Sequence, residues 1–180
     1  MRNETRNIVL TAVFMALGVL LPQIFHLVGL GIPYSPMHLP VLIGGFILGW
    51  KYGLIIGVVT PLLSSAFTGM PAIFPMGILM AAELGTYGAL SGFLYDIKKS
   101  VDKYEILHIY LALIMAMIGG RIVYWAGMAL YQGVQGQFYS LTIFYNSVIL
   151  FTLPGIIVQL ALVPPLIYLL KRTIIFNKVI

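Results

Sequence analysis

The chain has 180 residues, of which 61% are hydrophobic and only 8% are charged. Because water-soluble domains carry roughly a quarter charged residues, this composition indicates an integral membrane protein and excludes a soluble globular domain. Cysteine is absent, which excludes disulfide bonds and a thiol nucleophile, and the distribution of the net charge of +5 along the chain argues against nucleic-acid binding.

Apolar runs separated by helix breakers predict an all-α bundle of six transmembrane helices, in one domain that covers residues 1–180. The second run is the shortest, and we expect that helix to be tilted or packed mainly against protein. The N-terminal basic residues and the apolar run after them resemble a signal peptide, but no A-x-A-type cleavage site follows, so we predict a retained helix. The predicted spans are about 7–27, 37–50, 52–68, 75–95, 106–131 and 143–170.

Small residues recur at every fourth position through the second and third spans. The series is Gly45, Gly49, Gly53 and Gly57. Because helices in lipid associate through close van der Waals contact, such a ridge predicts tight helix packing.

The basic residues fall on one side of the predicted membrane topology. Nine of the ten Lys and Arg residues lie at the termini or in alternate connections, whereas the loops 28–36, 69–74 and 132–142 contain none. Because cytoplasmic loops are enriched in Lys and Arg, we predict that both termini are cytoplasmic. The nine residues are Arg2, Arg6, Lys51, Lys98, Lys99, Lys103, Lys171, Arg172 and Lys178.

Two opposite charges, Glu83 and Arg121, fall inside predicted spans. At about 1.5 Å per helical residue they lie about 18 Å and about 22 Å from the cytoplasmic ends of their helices, which is a comparable depth. A charge at this depth costs at least a few kcal/mol, so each must face protein, water or ligand. Two interpretations remain open: the charges pair with each other between helices, or they contact a polar ligand in the outer half of the bundle.

The neighbours of these charges favour a ligand. Tyr87 shares the helix face of Glu83, and Tyr124 and Trp125 share that of Arg121. An arginine is a rigid fork of donors that suits a carboxylate, and aromatic faces can enclose an apolar body. We therefore predict that all five side chains belong to a substrate pocket.

The predicted outer loops add further candidates. The first loop, 29–38, contains several prolines and is expected to fold over the pocket mouth, with Tyr34, Met37 and His38 contacting the substrate. The third loop, 132–140, is either a second lid or a plain connector. Asn146, near the outer end of the sixth span, is expected to add a hydrogen bond.

No metal site and no cofactor are predicted. His26 and His38 lie near the outer ends of the first two spans, but no Cys or Asp stands beside them. The sequence has neither the G-x-x-x-x-G-K-[ST] loop that binds nucleotide phosphates nor the H-E-x-x-H zinc motif. We therefore predict a protein that is not an enzyme and that hydrolyses no ATP itself.

Three classes of function fit these features to different degrees. They are a substrate-binding transport subunit, a stand-alone secondary transporter that uses Glu83 as its proton carrier, and a structural scaffold. A secondary transporter is disfavoured because the sequence shows no inverted repeat, and a scaffold because it would need no buried charges.

Four segments carry a resemblance to a known family. They are Ala12-V-F-M-Ala16 in the first span, MHLPVLIGGFILGWKYG at 37–53, TPLLSSAFTGMP at 60–71 and AAELGTYG at 81–88. With the size and the predicted topology, they make the chain similar to the S components of energy-coupling factor (ECF) transporters, which are the vitamin-binding subunits of that class. The resemblance covers nearly the whole chain and is strongest to a branch assigned to pantothenate.

This resemblance implies capture of a micronutrient in an outward-facing pocket, built from spans four to six, in a prokaryotic cell membrane. Pantothenate is the first candidate, and folate, riboflavin and the pyrimidine precursor of thiamine are the others. The resemblance also implies a transmembrane coupling subunit and two ATPase subunits as partners, with Ala12 and Ala16 on the face that docks the coupling subunit. The loaded subunit would then topple in the membrane to release its cargo inside.

Overall fold

The computed structural model describes residues 2–29, 34–97 and 105–172, and all the regular secondary structure in these ranges is helical. In lipid the backbone groups must be hydrogen-bonded within the segment, which long apolar runs achieve as helices. One π-helical segment, Tyr145–Leu150, follows the sixth α-helix, and a kinked stretch, Ile73–Gly77, in which Phe74 is extended at φ −120° and ψ 132°, leads into the fourth. The α-helices are α1 (Arg2–Leu27), α2 (His38–Leu48), α3 (Trp50–Thr68), α4 (Ile78–Ile97), α5 (Glu105–Val134), α6 (Leu141–Phe144) and α7 (Leu153–Arg172).

The predicted all-helical fold class is confirmed. Six apolar helices lie where the six spans were predicted, and five of them (α1, α3, α4 with the kinked stretch before it, α5 and α7) are long and apolar enough to cross a membrane. The remaining one, α2, has 11 residues and is too short to span unaided. The count of six crossings, the cytoplasmic termini and the single domain stay predictions.

Two breaks between helices have local causes. Gly49 separates α2 from α3 with φ +84°, a left-handed value that L-residues with a side chain rarely adopt. The predicted sixth span is divided into α6, a π-helical segment and α7. Pro154 lies in the first turn of α7, where its missing N–H is not needed, and its ring would clash with the preceding turn of a continuous helix.

Helices α3 and α4 touch through their backbones. A methyl group added at Gly53 or Gly88 would collide with the backbone of the other residue, and one added at Gly57 would collide with the backbone of Leu84. The glycine ridge therefore allows the closest helix contact in this part of the bundle, as small residues do in lipid.

The position of α4 determines where the site lies. It contacts α2, α3 and α5, while α1 packs against α2 and α3, and α7 against α2 and α5.

At one end of this bundle the hydroxyl groups of Ser64 and Ser65 donate to the carbonyl oxygens of Met70 and Pro71, at 2.7 and 2.6 Å. These bonds hold the segment after α3 against the bundle, beside the start of α2 and the end of α1.

Candidate functional site

Glu83 is the central charge of the bundle, with only 2% of its surface exposed. Its Oε1 atom lies 3.1 Å from Nη1 of Arg121 and accepts a hydrogen bond of 3.1 Å from the hydroxyl of Tyr87. The ion pair that the sequence left as one of two interpretations is therefore present, and it joins α4 to α5. A buried carboxylate needs such partners because desolvation is costly for an uncompensated charge.

Arg121 links this pair to a third helix. Its Nη2 atom donates a 2.9 Å hydrogen bond to Oγ1 of Thr152, which in turn donates to the carbonyl of Val148. The Nε atom of Arg121 is buried and has no hydrogen-bond partner within residues 2–29, 34–97 and 105–172. The guanidinium is thus fixed in position while it keeps a donor that nothing in this part of the chain uses.

The ion pair forms part of the wall of a cavity of about 450 Å³. The cavity is lined from the end of α1, residues 35–38, the segment after α3, the first half of α4, the second half of α5 and residues 148–152. This volume lies within the range of small-molecule sites, which are roughly 300–1,000 Å³.

Four methionines, Met37, Met70, Met76 and Met80, supply much of the apolar wall. The sulfur of Met76 accepts a hydrogen bond of 3.4 Å from the hydroxyl of Tyr124. Methionine side chains are flexible and polarizable, so they adapt to irregular apolar shapes. The cavity thus combines an adaptable apolar wall with a few converging polar groups, which is the usual character of a ligand site.

His38 is the second polar feature of the cavity. Its side chain is buried, and neither ring nitrogen has a hydrogen-bond partner in the described part of the chain. Its ring packs against Tyr87 with centroids 5.3 Å apart, and Nε2 lies 3.9 Å from Oε1 of Glu83, beyond hydrogen-bond distance. Because buried polar atoms are normally hydrogen-bonded, two ring nitrogens without partners are an unusual feature of this site.

The structure brings together five of the nine predicted substrate-binding residues at the cavity: Met37, His38, Glu83, Arg121 and Tyr124. It also adds Thr152, which the sequence analysis missed. A lone threonine two residues before Pro154 was the available signal, but nothing in the sequence indicated that it would face α5.

The other four predicted residues are not among those that line this cavity. Tyr87 is fully buried behind Glu83, whereas Tyr34 lies with its ring 6.2 Å from that of Phe25. Trp125 packs against the cluster of Met128, Tyr139, Phe144 and Val148, of which Val148 lines the cavity, and Asn146 is exposed on the π-helical segment.

The first predicted lid can be placed only in part, whereas the whole of the third loop is described. Residues 30–33 of the first outer loop lie outside the described residues, while residues 36–38 are buried and line the cavity. The loop 135–138 is exposed and contributes nothing to the cavity wall. Among the residues that the structure describes, no group of three or more His, Cys, Asp or Glu side chains is arranged to hold a metal ion.

Residues 6–167 match a protein family whose description is "ECF transporter, substrate-specific component". The match covers most of the chain and confirms the resemblance drawn from the four sequence segments. No individual curated protein and no solved structure gives a significant match.

Removing one member of the ion pair should destabilise the protein more than removing both. Glu83→Gln and Arg121→Met each leave an unpaired buried charge, so each should lower the free energy of unfolding by about 3–5 kcal/mol, and the double variant should regain much of it. Unfolding of the ligand-free protein in detergent measures these values. Glu105→Gln, which removes a half-buried carboxylate that accepts from Tyr95, is the matched control and should cost about 1 kcal/mol. Additive losses in the double variant would contradict a coupled pair.

Proposed function

The chain belongs to the family of ECF transporter substrate-specific components, and we propose that its cavity binds a small micronutrient that carries an acidic group. Family membership makes the protein a multi-pass membrane subunit that binds a small-molecule substrate for transport and works with the ECF module. The observation that carries the proposal about the substrate is Arg121, fixed in the cavity wall with an unused donor beside the unpartnered His38.

Pantothenate remains the first candidate substrate. It has a carboxylate at one end, and hydroxyl groups and a dimethyl-substituted carbon at the other. The carboxylate suits the donors of Arg121, since a guanidinium binds carboxylates through directed hydrogen bonds. The dimethyl group suits the wall of Met37, Met76 and Met80. Folate also carries acidic groups, whereas riboflavin and the pyrimidine precursor of thiamine have no carboxylate for Arg121 to bind.

For the partners, we propose a transmembrane coupling subunit and two ATPase subunits, with α1 as the docking helix. Only 17% of the apolar window of α1 is buried within the chain, the lowest share among the five long helices. Ala12 and Ala16 are both exposed on this helix, beside the exposed Val13 and Leu17. Two alanines one turn apart leave a shallow groove in which another helix can approach closely. A prokaryotic cell membrane with cytoplasmic termini completes the proposal. Arg6 and Lys51 lie near the starts of α1 and α3, whereas the other ends of these helices line the cavity, and cytoplasmic ends are enriched in basic residues.

A panel of vitamins tested by thermal unfolding of the purified protein identifies the substrate. Pantothenate at a thousand times its Kd should stabilise the folded state by about 4 kcal/mol, because a ligand that binds only the folded state shifts the equilibrium by RT ln(1 + [L]/Kd). Arg121→Lys should weaken binding by about tenfold or more, since a point charge does not reproduce the guanidinium fork. Lys51→Arg, at the far end of α3, is the control and should bind normally. The proposed substrate class is wrong if only vitamins without an acidic group raise the melting temperature.

Coupling is tested by Ala16→Trp. Residue 16 is exposed and outside the cavity, so the variant should fold and bind ligand as the wild type does. Uptake in cells that express the coupling subunit and both ATPases should fall to background, because the indole would block close helix approach. Ile118→Trp replaces a residue that is 49% exposed on α5 and should leave uptake intact. Normal uptake by Ala16→Trp would show that another surface docks the coupling subunit, and uptake without any partner would indicate a stand-alone transporter.

A further inference from the structure

The charged groups at the cavity balance before any ligand arrives. Arg121 contributes one positive charge and Glu83 one negative charge, and their side chains are 3.1 Å apart. Among the described residues, the helices packed around His38 bring few other titratable groups toward it. Those at the cavity or beside His38 are Glu83 and Tyr87 from α4, Arg121 and Tyr124 from α5, and His26 from α1, while α3 and residues 148–152 present the uncharged Ser64 and Thr152.

An acidic ligand would upset this balance. If it entered as its anion, the buried site would carry one uncompensated negative charge, because the charge of Arg121 is already offset by Glu83. Most of the surrounding wall is apolar, and an unpaired charge in such surroundings is strongly disfavoured. The site therefore needs one more positive charge when the ligand is bound than when it is empty.

His38 is the group placed to supply it. The ring lines the cavity, its Nε2 atom lies 3.9 Å from Oε1 of Glu83, and both of its nitrogens lack hydrogen-bond partners in the part of the chain that the structure describes. A neutral imidazole has one N–H and one free nitrogen lone pair, whereas the protonated ring donates from both nitrogens. A protonated His38 could thus donate to the ligand carboxylate on one side and face Glu83 on the other.

We propose that binding of an acidic ligand is coupled to the uptake of one proton by His38. The proton comes from bulk water and forms an N–H bond at the ring nitrogen that carries none, so the ligand anion and the proton enter the site together. The coupling rests on the proposed function, because it requires that the ligand be an acid. It makes His38 a residue that favours anionic over neutral ligands, and it makes affinity depend on pH.

Two other groups at the cavity are rivals for the proton. His26 also lines the wall, but its side chain is exposed near the end of α1, where water can solvate it in either charge state. Glu83 is the other rival, and a proton there would cancel its negative charge and free Arg121 for the ligand. That proton would break the ion pair that joins α4 to α5, and His38 would be left without a charged group on the Glu83 side.

Calorimetry of pantothenate binding in several buffers tests the coupling. The slope of the observed enthalpy against the ionisation enthalpy of the buffer counts the protons that are taken up, and it should be about one near neutral pH. The apparent Kd should rise with pH over the range in which binding takes up a proton, by up to about tenfold per pH unit. His38→Gln should bring the slope to zero and flatten the pH dependence while weak binding persists. His108→Gln, on α5 and outside the cavity, is the matched control and should keep both.

Each contrary result overturns a different statement. If wild-type protein binds pantothenate and the slope of binding enthalpy against buffer ionisation enthalpy is zero, the proton coupling is refuted and the proposed function stands. This test uses wild-type protein alone, so it holds even if His38→Gln does not fold. If proton uptake on binding persists in His38→Gln but is lost in Glu83→Gln or in His26→Gln, the proton is bound by Glu83 or by His26 respectively. That result would refute the role of His38. Failure of pantothenate and every other acidic vitamin to bind would refute the proposed function, and the coupling with it.

Discussion

The structure depends on the requirement that a charge buried in an apolar bundle be compensated within the bundle. Glu83 lies on α4, which contacts three other helices, and its carboxylate is compensated by Arg121 of α5 at 3.1 Å. The same guanidinium donates to Thr152 at the start of α7, so one pair of charges fixes three helices relative to each other. The glycine contacts between α3 and α4 hold the backbones of these two helices together beside this pair.

Some polar atoms beside the ion pair have no hydrogen-bond partner among the described residues, which suits a binding protein. A purely structural ion pair would use every donor, whereas Nε of Arg121 and both nitrogens of His38 are left without partners among the described residues, and both side chains line a cavity of about 450 Å³. The two interpretations of the charges that the sequence left open are therefore compatible. The pair joins two helices and also forms part of the cavity wall, and the chain belongs to a substrate-binding transport family.

The helices and the two membrane charges could be predicted because each is a local property of the sequence. Apolar runs of sufficient length form helices in lipid, and a lone carboxylate at mid-span must find a partner wherever the helix lies. The neighbours of the pair could not be predicted as reliably, because helical spacing gives the face of a residue but not what that face meets. Tyr124 and Trp125 both pack against the cluster of Met128, Tyr139, Phe144 and Val148, but only Tyr124 also lines the cavity, since one position along a helix is a rotation of about 100°. Asn146 and Thr152 depended on the π-helical segment and the break before Pro154, which change the register of the last span.

The central claim is that the Glu83–Arg121 pair and His38 form the polar end of the substrate site. An experimental structure of the detergent-purified protein with pantothenate bound tests it most directly. The account predicts ligand density in the methionine-lined cavity, with the carboxylate within hydrogen-bond distance of both Arg121 and His38 and with the Glu83–Arg121 pair intact. Density elsewhere in the bundle, or a bound carboxylate that contacts neither residue, would contradict it.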